Sequence, residues 1–128
     1  MCVCPPFPSK QGLDVSAILA SVAPERLAAF LGELSAWLPR RAYTLLYRGS
    51  RDGMTARAFH RLCDRKGPTL VLVQCDKGWV FGGHAGVSWV SPPGGYKDFA
   101  SADTFLLSVT GPYTTAPVRF PVKAGKAG

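Results

Sequence analysis

The sequence predicts an α+β fold, with helices in the first part of the chain and antiparallel strands in the second. Before residue 39, apolar residues recur at spacings of three and four; after residue 43, short apolar runs alternate with glycine- and proline-rich turns. The chain has 128 residues, of which 47% are hydrophobic and 18% charged, so a single globular domain is expected and a disordered chain is not. We expect that domain at residues 13–123, between a flexible leader at 1–12 and a flexible tail at 124–128.

The sequence pattern in the first part of the chain predicts two helices. Asp14 can cap a short helix that extends to Val22. Pro24 stands at the first turn of the next helix, where proline is tolerated, and Pro39 ends that helix. One stripe of this helix is apolar and is expected to face a core: Leu27, Phe30, Leu31, Leu34, Trp37 and Leu38.

A short strand and a third helix follow. Residues 43–47 read as a strand, and the hydroxyl of Thr55 can cap a helix whose apolar side carries Phe59 and Cys63. Gly67 is expected to end this helix in the left-handed conformation, and Pro68 prevents its continuation.

The second half predicts strands and turns. The strongest signal is the run at 69–75, "TLVLVQC", which suggests a central strand; "DKG" then turns the chain into a return strand at 79–84. Gly82 and Gly83 inside the return strand predict a bulge or a close approach of another part of the chain. Further strands are expected at 104–110 and at 118–122, the last at an edge because it contains a proline.

Lys and Arg together number 15 against 8 Asp and Glu, giving a formal net charge of +7. Such a charge attracts acidic partners, although it can also serve solubility alone. The densest basic stretch lies in the middle of the chain: Arg40, Arg41, Arg48, Arg51, Arg57, Arg61, Arg65 and Lys66. An acidic lipid surface is therefore one candidate partner. Nucleic acid is not favoured, because most aromatic residues that could stack on bases follow the apolar pattern and are expected in the core, namely Phe59, Trp79, Phe81, Phe105 and Phe120.

Neither a metal site nor a cofactor is expected. The four cysteines include no pair at C-x-x-C spacing, and Cys63 and Cys75 are expected to be buried thiols. Cys2 and Cys4 belong to the predicted leader, and the sequence leaves open whether they are redox-active. No apolar run approaches the ~20 residues of a membrane-spanning helix, and the start lacks the layout of a secretory signal, so a cytoplasmic location is expected.

A catalytic triad can be assembled only from scattered residues. Ser50, Cys63 or Ser91 could be the nucleophile, His60 or His84 the base, and Asp52, Asp64 or Asp98 the orienting acid. Neither "GSRDG" nor "GGHAG" has the spacing of a phosphate-binding loop. A small hydrolase or redox enzyme that uses His60 or Cys63 is thus an alternative and not the leading hypothesis.

The stretch "LYRGSRDG", residues 46–53, could be an anion-binding loop or a turn. We interpret it as a strand end followed by a tight turn, in which Asp52 accepts hydrogen bonds from backbone N–H groups and the arginines face water.

Several motifs occur in a characteristic order: a tryptophan-bearing helix, "LYRGSRDG", an "FH" helix with "CD", "GPTLVLVQC", "VFGGH", a tryptophan, and "DTFLLSV". In this order the region 27–123 resembles the TLDc domain of the oxidation-resistance and TBC/LysM-domain-containing proteins. The resemblance implies an antiparallel β-sandwich with flanking N-terminal helices and no established catalytic residue. It also implies roles in oxidative-stress resistance and binding to the vacuolar proton-pumping ATPase.

The resemblance identifies motif positions in this chain, which are candidates for interaction or for structure: Gly49, Ser50, Asp52, Gly53, Phe59, His60, Gly67, Pro68, Thr69, Phe81, Gly82, Gly83, Trp89, Phe105 and Leu106. The family's later segment, with a "GPxFG"-like motif and a closing acidic strand, would follow about where this sequence ends. The domain is therefore expected to be truncated to its N-terminal part, and an exposed strand edge could then support self-association.

Overall fold

The computed structural model describes residues 2–4, 18–38, 43–91 and 101–122, with only the backbone described at 2–4. The strands are β1 (Cys2–Cys4), β2 (Thr44–Tyr47), β3 (Thr69–Gln74), β4 (Val80–Ala85), β5 (Phe105–Ser108) and β6 (Val118–Pro121). The helices are α1 (Pro24–Trp37), α2 (Gly49–Asp52) and α3 (Ala56–Cys63), and a 3-10 turn occupies Leu19–Ser21. The α+β class is confirmed. Within these described ranges all strands belong to one sheet.

The sheet is antiparallel throughout, with the strand order β2-β1-β3-β4-β5-β6. The expected interior position of β3 and edge position of β6 are both confirmed. The flexible leader expected at 1–12 is wrong at Cys2–Cys4, because these residues pair with β2 on one side and β3 on the other. The remainder of that leader and the tail at 124–128 lie outside the described residues.

The β3–β4 hairpin is the most regular part of the sheet. Its register runs without a shift from the pair Thr69–Ala85 to the pair Gln74–Val80, and Gly78 in the connecting turn has a φ of 82°. Gly82 confirms the predicted close approach, because a Cβ atom there would overlap the carbonyl oxygen of Val71. The two strands need a residue without a side chain at this point.

Helix α1 covers one face of the sheet. Pro24 occupies its first turn, and Phe30 and Leu34 are buried against the sheet, as the apolar stripe predicts. This main core joins the helix, the 3-10 turn and four strands or their flanks: Leu19, Val22, Phe30, Leu34, Tyr43, Leu70, Leu72, Val80, Phe105, Leu107 and Val109. Of the predicted helix from Asp14 to Val22, residues 14–17 lie outside the described residues, and within 18–22 the structure has only the 3-10 turn Leu19–Ser21.

The opposite face of the sheet is only partly covered. Phe81 follows buried Val80 along β4. Phe120 of β6 pairs with Leu106, whose neighbours on β5 are buried on the α1 side, so Phe81 and Phe120 lie on this opposite face, where they are 43% and 56% exposed. Trp79, in the hairpin loop, is 39% exposed. The expectation that these three aromatic residues belong to the core is therefore wrong, because the period-2 pattern gives the side of the sheet and not what covers that side.

Helix α3 covers the other end of this face and forms a second, smaller core. Tyr47 and Cys63 are buried there, and Phe59 and Trp89 pack against them. The helix ends at Cys63, so three residues lie between its end and Gly67, which was expected to end it. Gly67 does have a positive φ of 80°, but it lies in the connection to β3. The first residue with a positive φ after the helix is Arg65, at 61°.

No helix among the described residues is long and apolar enough to cross a membrane.

Candidate functional site

The motif "RGSRD" forms a single helical turn, α2, closed by the carboxylate of Asp52. The backbone N–H of Arg48 donates to Oδ2 of Asp52 at 2.9 Å, and the guanidinium of Arg51 donates to both carboxylate oxygens at 2.8 and 2.9 Å. The hydrogen bonds from Arg51 and then from Arg48 lower the pKa of Asp52 from its usual 3.8 to about 2. The predicted bond from Asp52 to the backbone is confirmed, although the turn is helical.

The prediction that the arginines of this motif face water holds for Arg51 and fails for Arg48. The Arg51 side chain is 45% exposed. In contrast, Nε of Arg48 is buried and has no hydrogen-bond partner within the part of the chain that the structure describes.

Gly49 is the first residue of α2, and Gly53 follows its end. Gly53 has a φ of 103°, which other residues rarely adopt, and its carbonyl accepts a 2.6 Å hydrogen bond from the hydroxyl of Tyr47. Gly49 is buried, and a Cβ atom there would require the end of the exposed Met54 side chain to move aside. Ser50, between them, is exposed. These contacts fix the entry into α3.

Helix α3 begins at a side-chain cap, as predicted: the hydroxyl of Thr55 accepts a hydrogen bond from the Ala58 N–H at 3.1 Å. Its apolar side turns Phe59 and Cys63 toward the smaller core. Its polar side turns His60 and Arg61 toward solvent, and together with Arg57 these residues line an open depression that extends to Asp52 and Ser91.

His60, Asp64 and Ser91 meet in this depression. The imidazole Nδ1 of His60 donates to Oδ1 of Asp64 at 2.7 Å, and the hydroxyl of Ser91 donates to Oδ2 at 2.6 Å. Partial burial raises the pKa of Asp64, but the hydrogen bonds from Ser91 and His60 outweigh it and lower that pKa. The carboxylate is therefore the shared centre of the cluster.

This connectivity differs from that of a catalytic triad. In a triad the serine hydroxyl donates to the histidine, so that the imidazole can take its proton. Here the hydroxyl of Ser91 donates to Asp64, and no hydrogen bond joins Ser91 to His60 in the described ranges. In this arrangement both His60 and Ser91 donate to the same carboxylate.

Four cations around α3 have no ion-pair partner among the residues of known placement: Arg57, Arg61, Arg65 and Lys66. We call these four residues the basic surface. The two nearby carboxylates are already engaged, Asp52 by Arg51 and Asp64 by His60. All four cations are exposed, so this side of the molecule carries a net positive charge.

Trp89 connects this surface to the sheet. It forms an isolated parallel bridge with Asp64, and its carbonyl accepts the Arg65 N–H at 2.9 Å. Its indole packs edge-to-face on Phe59, with ring centroids 5.4 Å apart, and its N–H donates to the hydroxyl of Thr69 at 2.8 Å. Within residues 86–90 this bridge is the only β pairing that the structure describes.

Comparison with known families agrees with the resemblance carried by the motifs. The TLDc domain profile matches residues 16–121, which is most of the chain. The chain belongs to the TLDc family. No curated protein matches it.

The TLDc motif residues fall into two groups in the structure. Gly49, Ser50, Asp52, Gly53, His60 and Trp89 lie in or beside the α2–α3 region. Gly82 and Gly83 lie in β4, where they pair with β3 and β5, so they do not contribute side chains to the depression. Their contribution is to sheet packing.

Nothing in the described part of this TLDc chain offers a metal site, since no group of three or more His, Cys, Asp or Glu side chains is close enough together. Cys63 is fully buried, as expected, and Cys75 is partly exposed. Because the Cys63 thiol has no access to solvent, an external substrate cannot reach it in the folded domain.

The contact between Asp64 and Ser91 could not be found from the sequence. The four-residue spacing of His60 and Asp64 on a helix does indicate that their side chains are neighbours. Ser91, however, is 27 residues beyond Asp64, and only the folded path of the chain past Trp89 brings it there.

Proposed function

We propose that this TLDc domain is a non-catalytic protein-interaction domain and that its basic surface docks an acidic face of a partner. The observation that carries the proposal is the charge balance around α3. Four exposed cations there, Arg57, Arg61, Arg65 and Lys66, have no ion pair within the described residues and outnumber the two neighbouring carboxylates, of which Asp52 is paired with Arg51 and Asp64 accepts hydrogen bonds from His60 and Ser91. Unpaired surface charge of one sign steers encounter with a partner of the opposite sign.

Two features argue against the enzyme alternative. The hydroxyl of Ser91 donates to Asp64 and not to His60, and the thiol of Cys63 is buried. TLDc domains are also generally non-catalytic. A hydrolase or redox reaction at His60 or Cys63 would need a rearrangement of both clusters.

The finer parts of the proposal rest on family membership. The resemblance implies the vacuolar proton-pumping ATPase as partner and oxidative-stress resistance as the physiological role. We carry both to this chain as proposals, with a cytoplasmic location. Self-association along the edge of β6 stays a prediction.

Retention of purified vacuolar ATPase by the immobilised domain tests the partner and the surface together. Arg57→Glu and Arg61→Glu should each weaken retention by roughly tenfold, because reversing a charge replaces attraction with repulsion. Lys77→Glu, in the exposed β3–β4 turn, makes the same change of charge outside the basic surface and should retain the pump like the parent. Retention by the parent should also fall as salt is added.

Failure of the folded parent to retain the pump would reject this partner. Equal retention by the parent, Arg57→Glu and Arg61→Glu would reject the basic surface as the docking site. Phosphatidylserine vesicles form the second arm of the experiment. Binding to vesicles without binding to the pump would replace the protein partner with an acidic lipid surface.

A further inference from the structure

A separate cavity of about 370 Å³ opens between the end of α1 and strands β4, β5 and β6. Its volume lies in the range of small-molecule sites, which start at about 300 Å³. Trp37, His84, Phe105 and Arg119 are among the side chains that line it. None of these residues belongs to the basic surface, so the cavity is independent of the proposed protein interaction.

Aromatic rings form the apolar wall of the cavity. Trp37 and Phe105 meet edge-to-face with ring centroids 5.9 Å apart and an interplanar angle of 73°. The imidazole of His84 stacks on Phe105, with centroids 5.3 Å apart. Phe105 is 4% exposed and therefore fixed by packing on several sides. Phe105 therefore supports the wall from behind, and the partly exposed ring of Trp37 is the surface that an apolar group could contact.

Arg119 supplies positive charge to the same cavity. The central carbon of its guanidinium lies 5.9 Å from the Trp37 ring centroid and 5.6 Å from that of Phe105, so two cation–π contacts hold it. Within the described residues it has no carboxylate partner. Its N–H groups are thus free to donate in the paired geometry that a carboxylate accepts.

The buried histidine adds a second polar group. Nδ1 of His84 donates to the carbonyl of Asp103 at 2.8 Å, which places the ring proton on that nitrogen. Nε2 forms no hydrogen bond with the residues of known placement. Asp103 also lines the cavity; it and Arg119 are both exposed, so water and salt screen the two charges alike.

From these contacts we infer that the cavity binds a small aromatic carboxylate. The carboxylate pairs with Arg119, and the ring packs on the accessible part of Trp37. A bare inorganic anion would use only the guanidinium and would make no contact with Trp37. A neutral aromatic molecule would leave Arg119 without a partner.

Phenylacetate and its neutral amide, phenylacetamide, are matched probes of this inference. Trp37 lies in the cavity, whereas Trp79 and Trp89 do not line it, so the three indole N–H resonances of ¹⁵N-labelled protein report the place of binding. Phenylacetate should shift the Trp37 resonance in a saturable way and leave the other two unchanged. Trp37→Phe assigns the resonance by removing it.

The amide should bind at least about tenfold more weakly than the acid, because hydrogen bonds to a charged group contribute more than neutral ones. Arg119→Met keeps most of the apolar stem and removes the charge, so it should weaken phenylacetate binding by roughly tenfold or more. Lys77→Met removes an exposed cation of the β3–β4 turn, which belongs neither to the cavity nor to the basic surface, and should leave that binding unchanged.

Three results would overturn the inference: no saturable shift of Trp37 with phenylacetate, equal binding of the acid and the amide, or unchanged binding in a folded Arg119→Met variant. The comparison of acid with amide uses the parent protein alone. It therefore decides the question even if Arg119→Met fails to fold.

Discussion

The indole N–H of Trp89 donates a 2.8 Å hydrogen bond to the hydroxyl of Thr69, across 20 residues of sequence. Thr69 is fully buried at the start of β3, and Trp89 lies in the segment that returns past Asp64. This bond therefore ties the α3 surface to the central strand of the sheet. Because a buried hydroxyl has no water to replace a lost partner, the pair should be strongly coupled.

Thr69→Val removes the acceptor while keeping the shape of the side chain. It should lower the free energy of unfolding by about 1–2 kcal/mol, since the indole N–H is left without its partner. Trp89→Phe removes the donor and some apolar contact as well. In urea denaturation, the double variant should lose less than the sum of the two single losses. Strict additivity would show that the bond contributes nothing to stability.

The ion pair and backbone bond of Asp52 predict a pH-dependent stability. The pKa of this carboxyl falls from 3.8 to about 2 on folding. A depressed pKa stabilises the fold above the unfolded value, and that contribution is lost as pH falls from about 4 toward 2. Asp52→Asn should melt roughly 4 °C below the parent at pH 6, the shift expected for one hydrogen bond in a domain near this size. The difference should shrink toward pH 2.

Asp76→Asn is the matched control for this measurement. Asp76 is exposed in the β3–β4 turn and makes no ion pair within the described ranges. Its melting temperature should follow that of the parent at every pH. If Asp52→Asn melts with the parent at pH 6, the carboxylate does not stabilise α2, and its role must be sought in binding.

The two described thiols should differ in reactivity. Cys63 is fully buried in the smaller core, and Cys75 is partly exposed at the start of the hairpin loop. Iodoacetamide should therefore modify Cys75 in the native protein and Cys63 only after unfolding, because alkylation needs access to the thiolate. Peptide mass spectrometry separates the two sites. Rapid native modification of Cys63 would reopen the hypothesis of a reactive cysteine.

The sequence predicts local structure well where a single element determines it. The stripe of α1, the Thr55 cap and the β3–β4 hairpin all follow from short-range patterns, and all are confirmed. The insertion of Cys2–Cys4 between β2 and β3 could not be predicted, because its hydrogen bonds join segments about forty or more residues apart. Phe120 shows the same limit, since alternation along β6 fixes its side of the sheet and not its burial.

In the candidate site, too, the sequence predicts the local contacts and does not predict those between distant parts of the chain. Asp52 could be assigned to a backbone bond from its place in "GSRDG", because an aspartate in a turn commonly accepts from nearby N–H groups. The direction of the hydrogen bonds among His60, Asp64 and Ser91 could not be predicted from the sequence. The chemistry of this cluster depends on whether Ser91 donates to the carboxylate or to the imidazole, and that depends on the path of the chain after β4. The cavity beside Arg119 likewise needs α1 and β6 to be placed together.

Two glycines provide a matched test of close packing in the sheet. Gly82 of β4 faces the backbone of β3, and a Cβ atom there would overlap the carbonyl oxygen of Val71. Backbone cannot move aside as a flexible side chain can, so Gly82→Ala should lower the free energy of unfolding by roughly 3 kcal/mol or more, or prevent folding.

At Gly32 of α1, in contrast, a Cβ atom would meet no heavy atom within 4 Å outside its own helix backbone and chain neighbours. Gly32→Ala should stabilise the protein by about 0.5–1 kcal/mol, because alanine favours helix more than glycine does. Chemical denaturation of both variants checks the pair, and a Gly82→Ala protein as stable as the parent would show that β3 and β4 are less closely paired than their register indicates.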